Sequence, residues 1–300
     1  MYCESREIID YIKSKNKRLI SPIWPGEMEF HFLCLHHIDF SDALGFETYQ
    51  ATPVLRLVRE NSVRDEAHLD EIIARRYFDY SYMDTELASL KEMLRVNSTP
   101  SGGGAFGPLT IASGILGAER MLKLAAKDPG FVKKFVDYIA SFIIELAERE
   151  KAAGGQFFWI AEPLASLLSP KRFWDLSGMY LEKIFDAAGV PGFLHVCGQT
   201  IKHTDNMVRT GAQVLSIDYM TDIGECIRMV PDNIVIMGNV SPITLAEGSR
   251  EDVRRECLRI LDACRGYDNF IMGTGCSMIP GTDPGNMEEM FLTTENYPYP

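Results

Sequence analysis

From about residue 129 onward the chain alternates two hydrophobic rhythms. Stretches in which apolar residues recur three and four apart are separated by short runs that are apolar almost without interruption. The first rhythm lays apolar side chains along one face of a helix, and the second suits a strand covered on both faces. The segment 129-PGFVKKFVDYIASFIIELAEREKAAGG-155 opens on a proline and closes on paired glycines, which predicts one long helix. Then follow an apolar run at 156-QFFWIAEP-163, a helix from about 170 to 188, and a strand at 192-GFLHV-196. A helix at 200–211, a strand at 213-QVLSID-218 and a helix at 221–230 come next. The series ends with a strand at 233-NIVIMGN-239, a helix near 249–266, a strand at 270-FIMGT-274 and a closing helix from Asp283.

The first part is less regular, with strand candidates at 19-LISPIW-24, 52-TPVLRL-57 and around 106-FGPLTIAS-113. Adding these gives roughly eight strand–helix units, which suits an α/β fold closed as a (β/α)₈ barrel better than an open sheet. We expect a single domain over 1–300, irregular in its N-terminal 100 residues or so. No Gly-x-Gly-x-x-Gly turn opens a helix after a first strand. The glycine run 101-SGGGAFGP-108 lacks the Lys-Ser/Thr of a phosphate loop and reads as a flexible connection.

Composition narrows the partners. With 30 basic and 42 acidic side chains the net charge is −12, which disfavours nucleic acid and anionic membrane, since both require clustered cations. No apolar run approaches the ~20 residues that cross a bilayer. The opening segment 1-MYCESREIIDYIKSKNKR-18 is charged and amphipathic and lacks the apolar core of a secretory signal, so a cytoplasmic protein is expected. Seven cysteines, an odd number, point to reduced thiols and away from a disulfide framework. Cys257 and Cys264, a heptad apart on a helical pattern, should share a buried face.

The chemistry sits where strands should end. Glu162, His195, Cys197, Asp218, Asn239 and Cys276 all fall at predicted strand ends, the functional rim of a barrel. Buried polar groups in such number have a cost unless they find partners. His195 and Cys197 stand two apart on an extended chain and so face one way. Both suit zinc, which takes nitrogen and thiolate ligands tetrahedrally and keeps an exchangeable position where it is catalytic. Cys276, at the end of the last strand, is the candidate third ligand. Glu162 is either a displaceable oxygen ligand or a general acid. Asp218 either caps the next helix or meets substrate, and Asn239 either makes a turn before Pro242 or meets substrate.

Other clusters carry less. His31, His36 and His37 lie in an aromatic stretch without a carboxylate or cysteine at metal spacing, which favours packing or pocket lining. The paired acids Glu148–Glu150 and Glu288–Glu289 read as solvated helix faces. No nucleophile elbow or His-Glu-x-x-His occurs, so hydrolase chemistry has no motif behind it.

Six segments in order resemble the uroporphyrinogen decarboxylase superfamily. They are 107-GPLTIAS-113, 161-AEPLASLLSP-170, 195-HVCGQT-200, 211-GAQVLSID-218, 238-GNVSP-242 and 274-TGCSMIPGTDPGNM-287. The superfamily's fold is a (β/α)₈ barrel. His-x-Cys followed by a later Gly-Cys resembles its zinc-dependent, cobamide-linked methyltransferase branch. That resemblance implies zinc held by His195, Cys197 and Cys276, with Glu162 as a carboxylate ligand or partner. It also implies methyl transfer between a small methylated substrate and cobalt, with the cobamide carried by a separate corrinoid protein. The decarboxylase branch relies on an arginine-rich N-terminal segment, and 18-RLISPIWPGEMEFHF-32 shows no such cluster. Trp24, Phe30, Phe32, Phe40 and Phe46 suggest either core packing or a pocket for a methoxylated aromatic, and so O-demethylation. Methylation of a thiol by methylcobamide is the alternative direction.

Overall fold

The computed structural model describes residues 63–76, 102–276, 279 and 282–298, with scattered positions between 83 and 94. The strand candidates at 19–24 and 52–57, His31, His36, His37 and the aromatic cluster from Trp24 to Phe46 lie outside the described residues.

Among the described residues six strands form one parallel sheet in sequential order: β1 (Gly103–Phe106), β2 (Phe158–Ala161), β3 (Gly192–Val196), β4 (Val214–Ile217), β5 (Val235–Val240) and β6 (Phe270–Thr274). Helix α1 (Glu66–Ala74) precedes the sheet, and α2 (Pro108–Leu116), α3 (Ala118–Lys127) and α4 (Pro129–Ala152) join β1 to β2. A helical run follows β2: α5 (Pro170–Phe173), a π turn (Trp174–Gly178) and α6 (Met179–Ala188). Then α7 (Thr204–Arg209), α8 (Ile223–Met229), α9 (Pro242–Glu247), α10 (Arg250–Ala263) and α11 (Pro284–Glu295) alternate with the remaining strands or close the chain. Each new parallel strand is laid beside the previous one without reversal, the winding of a (β/α)₈ barrel and not of a doubly wound sheet.

Strand alternation divides the core in two. Phe158, Ile160, Leu194, Leu215, Ile236 and Met272 join the helix-side cluster. Their alternates Trp159, Val214, Val235, Met237 and Ile271 form a second cluster with Leu90 and Phe157, which fills the space enclosed by the sheet. Phe193 stacks on Trp159 at 5.3 Å and tilts against Phe157 at 4.8 Å, so aromatic rings occupy the interior below the strand ends. Burying such a side chain contributes about 1.5–3 kcal/mol relative to exposure. His195 and Cys197 continue the inward series begun by Phe193. They stand above these aromatic rings.

Three expectations are corrected. The glycine run is not a flexible connection, because Gly103–Phe106 is strand β1. A Cβ on Gly102 or Gly104 would collide with the carbonyl oxygens of Phe157 or Trp159, and one on Gly103 with the Glu150 carboxylate, so close approach to β2 and α4 demands glycine there. The segment from Pro108 is helix and not strand, since Pro108 at its first turn presets the helical φ. Glu150 also departs from the solvated reading. At 1% exposure it is buried where α4 meets β1, whereas Glu148 and Glu288 are exposed. Cys257 and Cys264 are both fully buried, as their spacing predicts. Among the described residues no helix is long and apolar enough to cross a membrane.

Candidate metal centre

The strand ends bring His195, Cys197, Asp218 and Cys276 together: one ligand atom from each lies within 4.8 Å of all the others. His195 Nε2 is 3.2 Å from Cys197 Sγ, Cys276 Sγ is 3.8 Å from His195 Nε2, and the two sulfurs are 3.8 Å apart. Zinc–sulfur bonds of about 2.3 Å and zinc–nitrogen bonds of about 2.05 Å at tetrahedral angles give edges of about 3.8 Å between sulfurs and about 3.6 Å from sulfur to nitrogen. The triangle therefore has the dimensions that one soft divalent cation requires. Asp218, 3% exposed, brings a carboxylate oxygen within 4.8 Å of the other three.

The protonation of the group fits the same conclusion. The neighbouring Cys276 sulfur, followed by burial, pushes the Cys197 thiol far above its ordinary pKa. Burial likewise raises Asp218, against backbone donation from Gly198 and Met220. Two thiols and a carboxylate packed this tightly cannot all ionise without a positive charge among them. A cation removes that conflict.

The surrounding loops hold the ligands in place. His195 Nδ1 lies 3.0 Å from Ser216 Oγ, and sheet register places these two residues directly opposite each other. A metal bound at Nε2 would leave the ring proton on Nδ1, to be donated to Ser216 Oγ, which would fix tautomer and ring orientation. Sequence reasoning missed Ser216. The available signal was its place two residues before Asp218 on the inward face of β4. Gly198, directly after Cys197, has φ +80°, a left-handed turn that glycine adopts without strain. Thr221 Oγ1 donates to the Gly198 carbonyl at 2.8 Å and accepts from the Thr200 amide at 2.9 Å, clasping the β3 and β4 loops together.

Asp218 does not cap the next helix. Its Oδ1 accepts the Met220 amide at 2.8 Å, a local turn bond, while the carboxylate also borders the cluster. The cap of α8 is Asp222, not Asp218. Asn239 does not shape the turn before Pro242, because Ser241 caps α9. Its Nδ2 instead donates to the carbonyls of Asp218 at 3.1 Å and Thr221 at 2.7 Å.

Glu162 is not brought into the group of four. Its carboxylate accepts the amides of Leu109 at 3.1 Å and Thr110 at 2.7 Å, the Ser177 hydroxyl at 3.0 Å and the Thr110 hydroxyl. The first two belong to the opening turn of α2, so the carboxylate satisfies amides that a helix start leaves without partners. Complete burial raises the Glu162 pKa to about 7 despite the donors from Thr110, Leu109 and Ser177.

The chain matches known proteins over most of its length. The family model described as Uroporphyrinogen decarboxylase (URO-D) covers residues 43–297, and the chain belongs to that family. Two kinds of relative stand at similar distance. A Methylcobamide:CoM methyltransferase, MtbA, from Methanosarcina mazei is 28% identical over 254 residues, 81% of this chain and 72% of that protein. A uroporphyrinogen decarboxylase from Prochlorococcus marinus is 27% identical over 223 residues, 70% of this chain and 63% of that protein. Among solved structures, a methyltransferase from Methanosarcina mazei superposes with a TM-score of 0.63 at 25% identity, covering 69% of this chain and 62% of that one. A B12-independent methionine synthase from Shewanella sp. W3-18-1 shares the fold at a TM-score of 0.50 and 16% identity.

Proposed function

We propose that the chain is a zinc-dependent methyltransferase acting between a small substrate and the cobalt of a cobamide carried by a separate corrinoid protein. The observation that carries this reading is the triangle of His195, Cys197 and Cys276, whose edges suit one tetrahedral zinc ion. Overall identity does not choose between the two kinds of relative, since 28% and 27% are equivalent. The thiol pair supports the methyltransferase reading. A metal-free decarboxylation has no use for two cysteines and a histidine packed at ligand distance.

Bound there, a zinc ion supplies the Lewis acidity that keeps a substrate thiol ionised at neutral pH. The chain's own residues do the rest. Cys197 and Cys276 would hold the ion as thiolates, and His195 would hold it through Nε2 with its ring placed beside Ser216. Asp218 would be the oxygen ligand that gives way to substrate. Glu162 anchors the start of α2 beside the site. The rings of Phe193, Trp159 and Phe157 give the site an apolar floor. In the transfer, the sulfur lone pair forms the new bond to the methyl carbon while the carbon–cobalt pair returns to cobalt.

Thiol methylation is the direction this reading takes. The names of the methyltransferase relatives support it, whereas the aromatic residues that suggested O-demethylation lie outside the described residues. Metal analysis of purified protein should find about one zinc per chain, lost in Cys197→Ser and Cys276→Ser, with methyl transfer from free methylcobalamin to a thiol lost in parallel. Zinc-free protein whose cysteine variants keep full activity would end the proposal. Incubation with uroporphyrinogen under anaerobic conditions should yield no decarboxylated product.

A further inference from the structure

Strand β4 leaves the sheet before its acid is reached. Its last registered pairs are Ile217 with Val196 of β3 and Ser216 with Met237 of β5, whereas β5 and β6 stay paired as far as Val240 and Thr274. Asp218 therefore lies past both ladders, yet its carboxylate oxygen stands within 4.8 Å of three other ligand atoms. A metal site needs its ligands placed to within about 0.5 Å, so something besides the ladder has to hold the turn from Asp218 to Thr221.

Two contacts from the neighbouring strands do so. Asn239, 1% exposed in β5, donates through Nδ2 to the carbonyls at both ends of that turn, Asp218 at 3.1 Å and Thr221 at 2.7 Å. The amide cannot turn over, because Oδ1 would then face two carbonyl oxygens. Gly275, directly after β6, carries the β5–β6 pairing one step further by donating its amide to the Val240 carbonyl at 2.7 Å. A Cβ on Gly275 would lie 2.5 Å from the Tyr219 nitrogen and 2.7 Å from the Tyr219 Cα, so backbone would have to move to admit it. Gly275 precedes Cys276 and Tyr219 follows Asp218, so this bare approach sets two members of the cluster beside each other. Towards β3, Thr221 ties the same turn to the Gly198 carbonyl, next to Cys197.

We infer that Asn239 and Gly275 are positioning residues of the metal centre: they fix the turn from Asp218 to Thr221 against the ends of β5 and β6, and so hold the Asp218 carboxylate beside Cys197 and Cys276. Neither supplies a ligand atom; both act through residues that do. This rests on the zinc reading above and adds what keeps its oxygen ligand within reach.

Chelator competition on the full chain, with the visible spectrum of the cobalt(II)-loaded protein beside it, tests the assignment. Asn239→Ala should weaken zinc binding by about tenfold and shift the cobalt bands toward those of Asp218→Ala. Added to Asp218→Ala, the same change should cost only about twofold more, because a residue that acts through Asp218 has nothing left to position. Gly275→Ala should weaken zinc at least as much, since the new methyl group displaces Cys276 as well as the turn. A residue that serves the fold alone would lower stability, leave the cobalt spectrum where it was and add its full effect to Asp218→Ala. If Gly275→Ala does not fold, Asn239→Ala and the double variant decide. Wild-type affinity and spectrum in either folded variant, or full additivity with Asp218→Ala, overturns the inference and leaves the zinc reading standing. A wild-type chain that binds neither zinc nor cobalt(II) removes both.

Discussion

His195 and Ser216 face each other across the β3–β4 pair, with Nδ1 and Oγ 3.0 Å apart and their Cα atoms in register. A hydrogen bond donated by Nδ1 across this pair would leave Nε2 available to a metal. Ser216→Ala should fold normally and weaken zinc affinity by about tenfold or somewhat more, the usual effect of losing an outer partner of a metal ligand. Competition with a chromophoric chelator measures it. Unchanged affinity would mean that the ring is oriented by packing alone.

Glu162 and the first turn of α2 form a second such relationship. Glu162→Gln must turn an NH₂ group toward either the Leu109 or the Thr110 amide, and neither of those can reverse its role. The variant should lose about 1–3 kcal/mol of stability in urea unfolding while holding the same zinc. Loss of zinc with stability intact would return Glu162 to the ligand set.

Zinc binding should weaken as pH falls. The Cys197 thiol is pushed far above its ordinary pKa by Cys276 and by burial, so it is protonated at neutral pH until the ion displaces its proton. Apparent affinity should fall at least about tenfold for each unit of pH lost below neutrality. Chelator competition at several pH values gives the slope, and a flat profile would contradict proton release by this thiol.

His203 sets an acid limit on the fold. It is fully buried, stacks on Phe173 at 4.9 Å and contacts the Ser166 carbonyl at 3.3 Å through Nε2. Burial lowers its pKa, with the Ser166 carbonyl opposing, so the neutral ring is the one that suits the folded state. The stability due to this depression is fully present above the unfolded value of about 6.5 and is lost as pH falls through the folded value. His203→Phe keeps the aromatic contact and removes the titration. Unfolding free energies from pH 8 to 5 should therefore fall more steeply in the wild-type protein than in the variant.

Local pattern determined much of this molecule. The inward period of two at Phe193, His195 and Cys197 fixed three side chains on one face, and the strands at Gly192–Val196 and Phe270–Thr274 coincide with their apolar runs. Pro129 and Asp283 mark the starts of α4 and α11, because fixed φ and capping are properties of neighbouring residues. Tertiary contact decided what neighbours could not. Gly102–Gly104 became strand-edge residues only because the β2 backbone and Glu150 press against them. Asp218 joined the cluster and Glu162 was drawn to the helix start because carboxylates bond whichever donors the packed fold brings within reach, and no spacing in the chain records those distances.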